Sequence, residues 1–372
     1  MKDRLLSIDV LRGMTLIFMI IVNQPGSWDN VFAPLLHADW NGLTPTDYIF
    51  PNFLFIVGVS IVLSLNNKKG LDRNKTIRKI MWRAFKIYLV GLFLWIFPSF
   101  DFDNIRWTGV LQRISFVFLF CGMIYMFIDK KYFMYLSVIT LILYWFIMLY
   151  LPIPGIGQPD LSVPELNMAH YIDKNYLPGV MWQGTWDPEG ILTTIPSIIT
   201  GVFGLIAGTI LISNSDIKDK LLNLFYIGLI LVFVGDFFSW SFPVNKNLWS
   251  TSYTFLMGGM SFMLITHDLA VLSEIANKIG IMYGGQMVEF GSSEEIYNNP
   301  KHPYTQGLLK SIPTLRGDPP KYIKGIPPSL LDAPTECRFI DRCPLVIEKC
   351  HKLPPKFKTD TGYVRCWLYE DK

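Results

Sequence analysis

A histidine stands in the stretch "VNQPGSWDNVFAPLLHADWNGLTPTDYIF", residues 22–50, among groups that could help it do chemistry. His37 is flanked by Trp28, Trp40, Asp39 and Asp47, and Asn23 precedes it at the end of an apolar run. A neutral imidazole there could take a proton from an amine or hydroxyl, and the Asn23 amide could donate a hydrogen bond to a developing oxyanion. The same residues also suit a histidine hydrogen-bonded in an interfacial loop, and the residues alone leave both readings open. Two further sets lie near the C-terminus. His267 ends the apolar stretch "LITH", and Cys337, Cys343, Cys350 and Cys366 follow a C-x5-C-x6-C-x15-C spacing. That spacing lacks the C-x2-C knuckles of common zinc sites.

The elements that must carry these residues divide the chain in two. Of 372 residues 51% are hydrophobic and 17% charged, against about 25% charged in ordinary soluble domains. Residues 1–264 hold the long apolar runs, whereas 265–372 hold Pro, Lys, Glu and the four spaced cysteines. A bilayer core needs about 20 apolar residues per helix. Runs near 8–24, 46–66, 77–98, 108–128, 131–151, 190–212 and 221–240 meet that length, and a doubtful eighth starts near 249. The fold class is therefore a polytopic α-helical membrane protein of seven to eight spans, followed by an incomplete α/β fragment. The run Ile8 to Val22 reads as a first anchor rather than a signal peptide, since no small-residue cleavage site follows.

Charge sets the orientation. Lys68, Lys69, Arg73, Lys75, Arg78, Lys79 and Arg83 cluster in one turn, with Lys130, Lys131, Lys218 and Lys220 in later ones. These belong to the cytoplasmic side. The stretches 25–46, 99–107, 152–189 and 241–249 are rich in Trp, Pro and Asp and face outward, so His37 faces outward and the N-terminus inward. The expected location is the inner (cytoplasmic) membrane, multi-pass, with a cytoplasmic C-terminal tail. A net charge of +3 and a pI near 8.4 are too mild to argue for nucleic acid.

Ionisable groups in or beside apolar spans are expensive unless paired or wet. Asp9, Arg12, Arg106 and Arg113 are such groups, and the polar Gln112 sits among them. Arg12 and Arg113 could bind an anionic ligand or pair with Asp9. Asp187 and Glu189 begin the span near 190, where capping of a helix N-terminus suits them.

The segments "SIDVLRG" (7–13), "GVLQRIS" (109–115), "WDPEGILTTIPSI" (186–198) and "PVNKNLWSTSY" (243–253), with the His37 stretch, resemble the heparan-α-glucosaminide N-acetyltransferase family and its bacterial relatives. The resemblance covers residues 1–264. It implies acetyl-CoA as cytoplasmic donor, an amino-sugar acceptor on the far side, His37 and Asn23 as the reaction centre, and Arg12 and Arg113 as candidates for holding CoA phosphates. The family pattern continues through further spans after "LWSTSY", and this chain leaves it near 264, so a truncated bundle with impaired activity is expected.

From Leu264 the chain reads as a short strand ending at "ITHD", a helix over 269–277, and two strands meeting at Gly284-Gly285. Ser292 and Glu295 form a capping-box pattern. "LITHDLAVLSEIANKIGIMYGGQMVEFGSSEEIYNNPKHPYTQGLLKSIP" resembles the C-terminal third of oligopeptide and dipeptide ABC transporter ATP-binding subunits, over 265–315, and the Cys-rich tail over 316–372 continues that resemblance. It implies His267 as counterpart of the γ-phosphate switch histidine, peptide-transporter subunits as partners, and a 4Fe-4S cluster on Cys337, Cys343, Cys350 and Cys366, for which four thiolates are the ligand set. His351, beside Cys350, could substitute as a ligand or simply be exposed to solvent. No G-x-x-x-x-G-K-[ST] loop occurs, so ATP would bind only if a partner completed the site. "GMSFMLITHD" suits both patterns, which places the join of an apparent chimera between Gly258 and Ile265. Three readings stand at this point: a membrane acetyltransferase, a fragment of a peptide transporter's ATP-binding subunit, and an inactive gene-fusion product.

Overall fold

The computed structural model describes residues 6–24, 31–66, 73–265, 277–311, 322–326, 328 and 335–370, with backbone alone for 6–10. The chain divides into two compact units, Met1–His267 and Asp268–Lys372.

In the first unit the apolar runs become helices α1 (Leu6–Asn23), α2 (Ile49–Asn66), α3 (Arg73–Ile96), α4 (Val110–Phe127) and α5 (Phe133–Tyr150). A short α6 (Met168–Tyr176) follows, then α7 (Ile191–Leu211), α8 (Ile217–Ser239) and α9 (Thr251–Ile265). All eight segments expected to cross a bilayer are helical in the described residues. Among the described residues five stretches are long and apolar enough: Pro45–Asn66, Val110–Phe127, Lys130–Tyr150, Ile191–Leu211 and Ile217–Ser239. Helix α1 runs 18 residues, Leu6–Asn23, while α9 has 15, about 22 Å of helix against a hydrocarbon core of about 30 Å. Helix α3 is long, yet Arg73, Lys75, Arg78, Lys79 and Arg83 occupy its first half.

The exposed surface of this unit is apolar. Ile17 and Ile20 on α1, Trp82 and Phe93 on α3, Ile139 and Leu143 on α5, and Phe233 and Phe237 on α8 all face outward. Water would penalise such a surface, whereas lipid tails are its natural solvent. With five candidate spans, the chain is a multi-pass membrane protein.

Helix α7 is buried along most of its length and packs backbone to backbone on α2. A Cβ at Gly58 would meet Gly201 O at 2.0 Å, and one at Gly204 would meet Phe55 O at 2.0 Å. Small residues at such a crossing let helices gain van der Waals contact where lipid supplies no hydrophobic drive. Tyr144, Met148, Leu161, Met168, Phe242 and Leu248 form a second apolar cluster, which packs the outward stretches 152–189 and 241–249 against the end of α5.

In the second unit, β1 (Lys278–Tyr283) and β2 (Gln286–Ser292) form an antiparallel hairpin. Gly284 and Gly285 turn it with φ of +54° and +74°, the positive pair that a two-residue turn of this hand requires. β3 (Phe357–Lys358) and β4 (Tyr363–Val364) complete a sheet of order β1-β2-β4-β3. The two strands expected to meet at Gly284-Gly285 do so, and among the described residues the fragment is a small antiparallel sheet carrying α10 (Ser293–Asn298) and α11 (Pro303–Lys310). The Cys-rich tail supplies two of its strands. Ser292 caps α10 by accepting from Glu295 N at 3.2 Å, but Glu295 turns to Thr361 instead of closing the capping box. His302 caps α11, its Nδ1 accepting from Tyr304 N at 3.0 Å. The strand at "ITHD", most of the helix over 269–277, and His267 itself lie outside the described residues.

Candidate active site

The local sequence Thr44-Pro45-Thr46-Asp47 makes a 3₁₀ turn with a capping box, and this fixes the carboxylate that His37 meets. Asp47 Oδ2 accepts from Thr44 N at 3.0 Å, Thr44 Oγ1 at 3.0 Å and Ala38 N at 3.2 Å. Its Oδ1 lies 2.7 Å from His37 Nδ1. A carboxylate is an acceptor, so the shared proton sits on Nδ1 and the Nε2 lone pair is left for chemistry. Asp47 is 1% exposed while the His37 side chain is 47% exposed, so the buried member orients the ring and the ring stays accessible.

Lys246 closes the cluster. Its Nζ lies 2.9 Å from His37 Nδ1, 3.2 Å from Nε2 and 3.4 Å from Asp47 Oδ1. The loop that carries it is stitched to the His37 loop: Gly42 N donates to Val244 O at 2.8 Å, and Asn245 Nδ2 to Asn41 Oδ1 at 3.0 Å. Trp249, fully buried at φ +48°, turns that loop into α9. A left-handed conformation at a bulky residue costs energy that the surrounding packing must hold. Burial pulls the Lys246 ammonium below its ordinary pKa, against the opposing charges of Asp47 and Glu189.

Beside Lys246 lies a buried ion network. Arg106 donates from Nε and Nη2 to Asp187 at 2.7 and 2.6 Å, and from Nη2 to Glu189 at 2.6 Å, with Trp95 and Trp182 on its guanidinium. The expectation that Asp187 and Glu189 cap a helix is therefore corrected, because the cation in reach outweighs the dipole. Burial pushes the Asp187 carboxyl up, but Arg106 brings it below its ordinary value, while burial raises Glu189. The α7 N-terminus is served by Asp173, whose Oδ1 accepts from Ile191 N at 3.0 Å and whose pKa burial pushes up to about 6. A Cβ at Gly190 would meet Asp173 Oδ2 at 2.0 Å, so only glycine fits there.

The other sequence-derived residues fall apart from this cluster. Asn23 donates to Met19 O of its own helix at 2.8 Å and, among the described residues, makes no hydrogen bond to His37. Arg12 donates to Ser60 Oγ at 2.7 Å and lines a cavity of about 400 Å³ between α1, α2, α3 and α4. Lys79 and Arg83 line the same cavity with Phe53, Ile80 and Phe118. Arg113 is not part of that lining. It is 2% exposed, donates to Pro188 O at 2.8 Å and to Thr193 Oγ1, and lies 5.0 Å over Trp249. Arg12 and Arg113 therefore do not share one anion site.

The four spaced cysteines gather, with Cys337 N donating to Cys350 O at 3.0 Å. Burial first, and the neighbouring cysteines after it, push the Cys366 thiol up to about 11, and burial raises Cys337 and Cys343 as well. Among the described residues no group of three or more His, Cys, Asp or Glu is placed to hold a metal ion, so the arrangement lends no support to the expected iron-sulfur cluster. His351 pairs with Glu336 at 3.1 Å.

Sequence reasoning named Asp47 only as a neighbour of His37 and missed Lys246. The available signal was charge: Lys246 is a cation in an outward stretch that is otherwise poor in them.

Comparison with known proteins agrees with a two-part chain. Residues 4–186 match the family model described as heparan-alpha-glucosaminide N-acetyltransferase, catalytic, and residues 288–350 match that of the oligopeptide/dipeptide transporter, C-terminal region. The heparan-alpha-glucosaminide N-acetyltransferase of Mus musculus is 30% identical over 321 residues, covering 71% of this chain and 48% of the mouse protein. The Homo sapiens protein of that name is 29% identical over 345 residues, covering 76% of this chain and 50% of its own length. The dipeptide transport ATP-binding protein DppD of Caldanaerobacter subterraneus subsp. tengcongensis is 44% identical over 116 residues, 30% of this chain and 36% of that protein. The chain thus spans about half the length of the first two relatives and about a third of the third. Its first part is similar to the catalytic region of heparan-alpha-glucosaminide N-acetyltransferases and its last part to the C-terminal region of oligopeptide/dipeptide transporter proteins, a fusion-like arrangement.

Proposed function

We propose that the membrane unit transfers the acetyl group of acetyl-CoA, bound from the cytoplasmic side, to the amine of an amino-sugar acceptor on the outward side of the inner membrane, with His37 at the reaction centre. The observation that carries this reading is the His37–Asp47 pair at 2.7 Å. Asp47 holds the ring in the tautomer that presents Nε2 as a base or nucleophile, the orienting role a buried carboxylate performs for a working histidine.

The cavity between α1 and α4 supports the donor half of the reading. Arg12, Lys79 and Arg83 bring positive charge to a mostly apolar space, which suits a ligand with phosphates at one end and an alkyl arm at the other. In α2 the cavity lining runs from Phe53 to Leu65, and Phe53 is six residues past Asp47, roughly 10 Å along the helix. A thioester at the inner end of that cavity would approach His37 from below, while the acceptor meets it from outside. Asn23 would have to leave Met19 O to serve as an oxyanion donor, and Arg113 braces Pro188 and Trp249 beneath the site.

The test is acetyl-CoA turnover by the full chain in proteoliposomes with glucosamine inside. His37→Ala should abolish acetyl transfer while leaving the thermal midpoint in detergent near that of the unsubstituted chain. Equal transfer by the variant would refute the assignment.

A further inference from the structure

Among the described residues Lys246 is the cation that touches His37. Its Nζ is 2.9 Å from Nδ1 and 3.2 Å from Nε2. A nitrogen at nearly equal distance from both ring nitrogens cannot lie in the ring plane, where it would collide with the carbon between them. The ammonium therefore sits over the imidazole face. The in-plane lone pair of Nε2 stays open while a positive charge stands one hydrogen-bond length away. Asp47 Oδ1 at 3.4 Å balances that charge, and the Gly42–Val244 and Asn41–Asn245 hydrogen bonds hold the two loops in register. The Asn23 amide is meanwhile engaged with Met19 O.

We infer that Lys246 is a catalytic residue, donating to the negative oxygen that forms when an acetyl carbonyl is attacked beside His37; the inference rests on the acetyl-transfer reading above. As the nucleophile adds to the carbonyl carbon, the π pair of C=O moves onto oxygen. When the tetrahedral centre collapses, that pair re-forms C=O and the CoA sulfur leaves with the C–S pair; on the direct route the sulfur takes up the proton that the amine sheds to His37 Nε2, and on the acetylated route it takes a proton from water, to which the amine later returns one. The oxyanion is common to direct transfer to an amine and to transfer through an acetylated Nε2, so one ammonium serves either route. Half-burial strengthens the donor, since an ammonium with part of its hydration removed has less water to give up before it bonds the oxygen.

The test uses the full chain in detergent with two acetyl donors, acetyl-CoA and p-nitrophenyl acetate, the second needing no CoA site. With both, Lys246→Met is expected to lower the His37-dependent kcat by about 10²-fold and leave KM within about twofold. Lys246→Arg, which keeps a donor cation, should recover a measurable part of that loss. If Lys246→Met melts early, Lys246→Gln replaces it, and the comparison with Lys246→Arg stands at matched thermal midpoints. Ester cleavage through His37 without acetyl-CoA turnover would overturn the CoA reading, and the ester data would still decide on Lys246. Undiminished kcat in Lys246→Met, or ester cleavage that does not depend on His37, would overturn the inference.

Discussion

Arg106 and Asp187 meet across 81 residues of chain through two parallel hydrogen bonds of 2.7 and 2.6 Å. This pair ties the short link before α4 to the long stretch before α7, and Glu189 accepts from the same guanidinium. Side chains of Arg106 and Asp187 are 10% and 0% exposed, so removing one leaves the other a buried, uncompensated charge. Arg106→Ala is therefore expected to cost about 3–5 kcal/mol. A thermal midpoint in detergent within a degree of the unsubstituted chain would contradict this.

Asp47→Asn addresses the orientation of the reacting ring. An amide can donate to Nδ1 as well as accept from it, so the proton is free to move to Nε2 and block the reacting lone pair. The expected loss is about 10²–10⁴-fold in kcat, by analogy with general-base losses, with little change in KM for acetyl-CoA. Steady-state kinetics of the variant check it, and a pure KM effect would speak for a binding role.

How far the sequence reaches is plain from these residues. The helices were legible because an apolar run of span length has few alternatives, and His37 because it stands among aromatic and acidic residues in an outward loop. The Arg106–Asp187 pair and the contact of Lys246 with His37, 209 residues apart, were not legible. Each residue looks ordinary in its own segment, and only tertiary packing brings the partners together. The capping role given to Asp187 failed for the same reason: local pattern cannot see a distant cation. In the tail, the cysteine spacing said nothing about burial, which is what raises the thiols of Cys337, Cys343 and Cys366.

The cavity between α1 and α4 makes a separate demand. If Lys79 and Arg83 draw CoA phosphates, Lys79→Glu and Arg83→Glu should raise KM for acetyl-CoA about tenfold or more and leave the rate with p-nitrophenyl acetate unchanged. An equal loss with both donors would mean that the substitutions disturb the bundle instead.

Asp173 gives a pH signature. Its pKa rises from 3.8 to about 6 because burial disfavours the charged form. The fold therefore holds this proton more tightly than the unfolded chain does. Its favourable contribution is present at low pH and is lost as pH rises from about 4 through about 6. Asp173→Asn, which can still accept from Ile191 N, is expected to flatten that part of the stability profile and to gain about 2–3 kcal/mol at neutral pH. Thermal midpoints of both proteins at pH 5 and pH 7.5 test the sign, and parallel slopes would refute it.

The claim at the centre is that acetyl chemistry runs through His37 held by Asp47. The most direct measurement follows radiolabelled acetyl-CoA supplied outside inside-out proteoliposomes, with glucosamine within, for the full chain and for His37→Ala. Labelled N-acetylglucosamine should accumulate in the lumen with the unsubstituted chain and be absent with His37→Ala, at equal protein incorporation. Accumulation at the same rate in both would contradict the account.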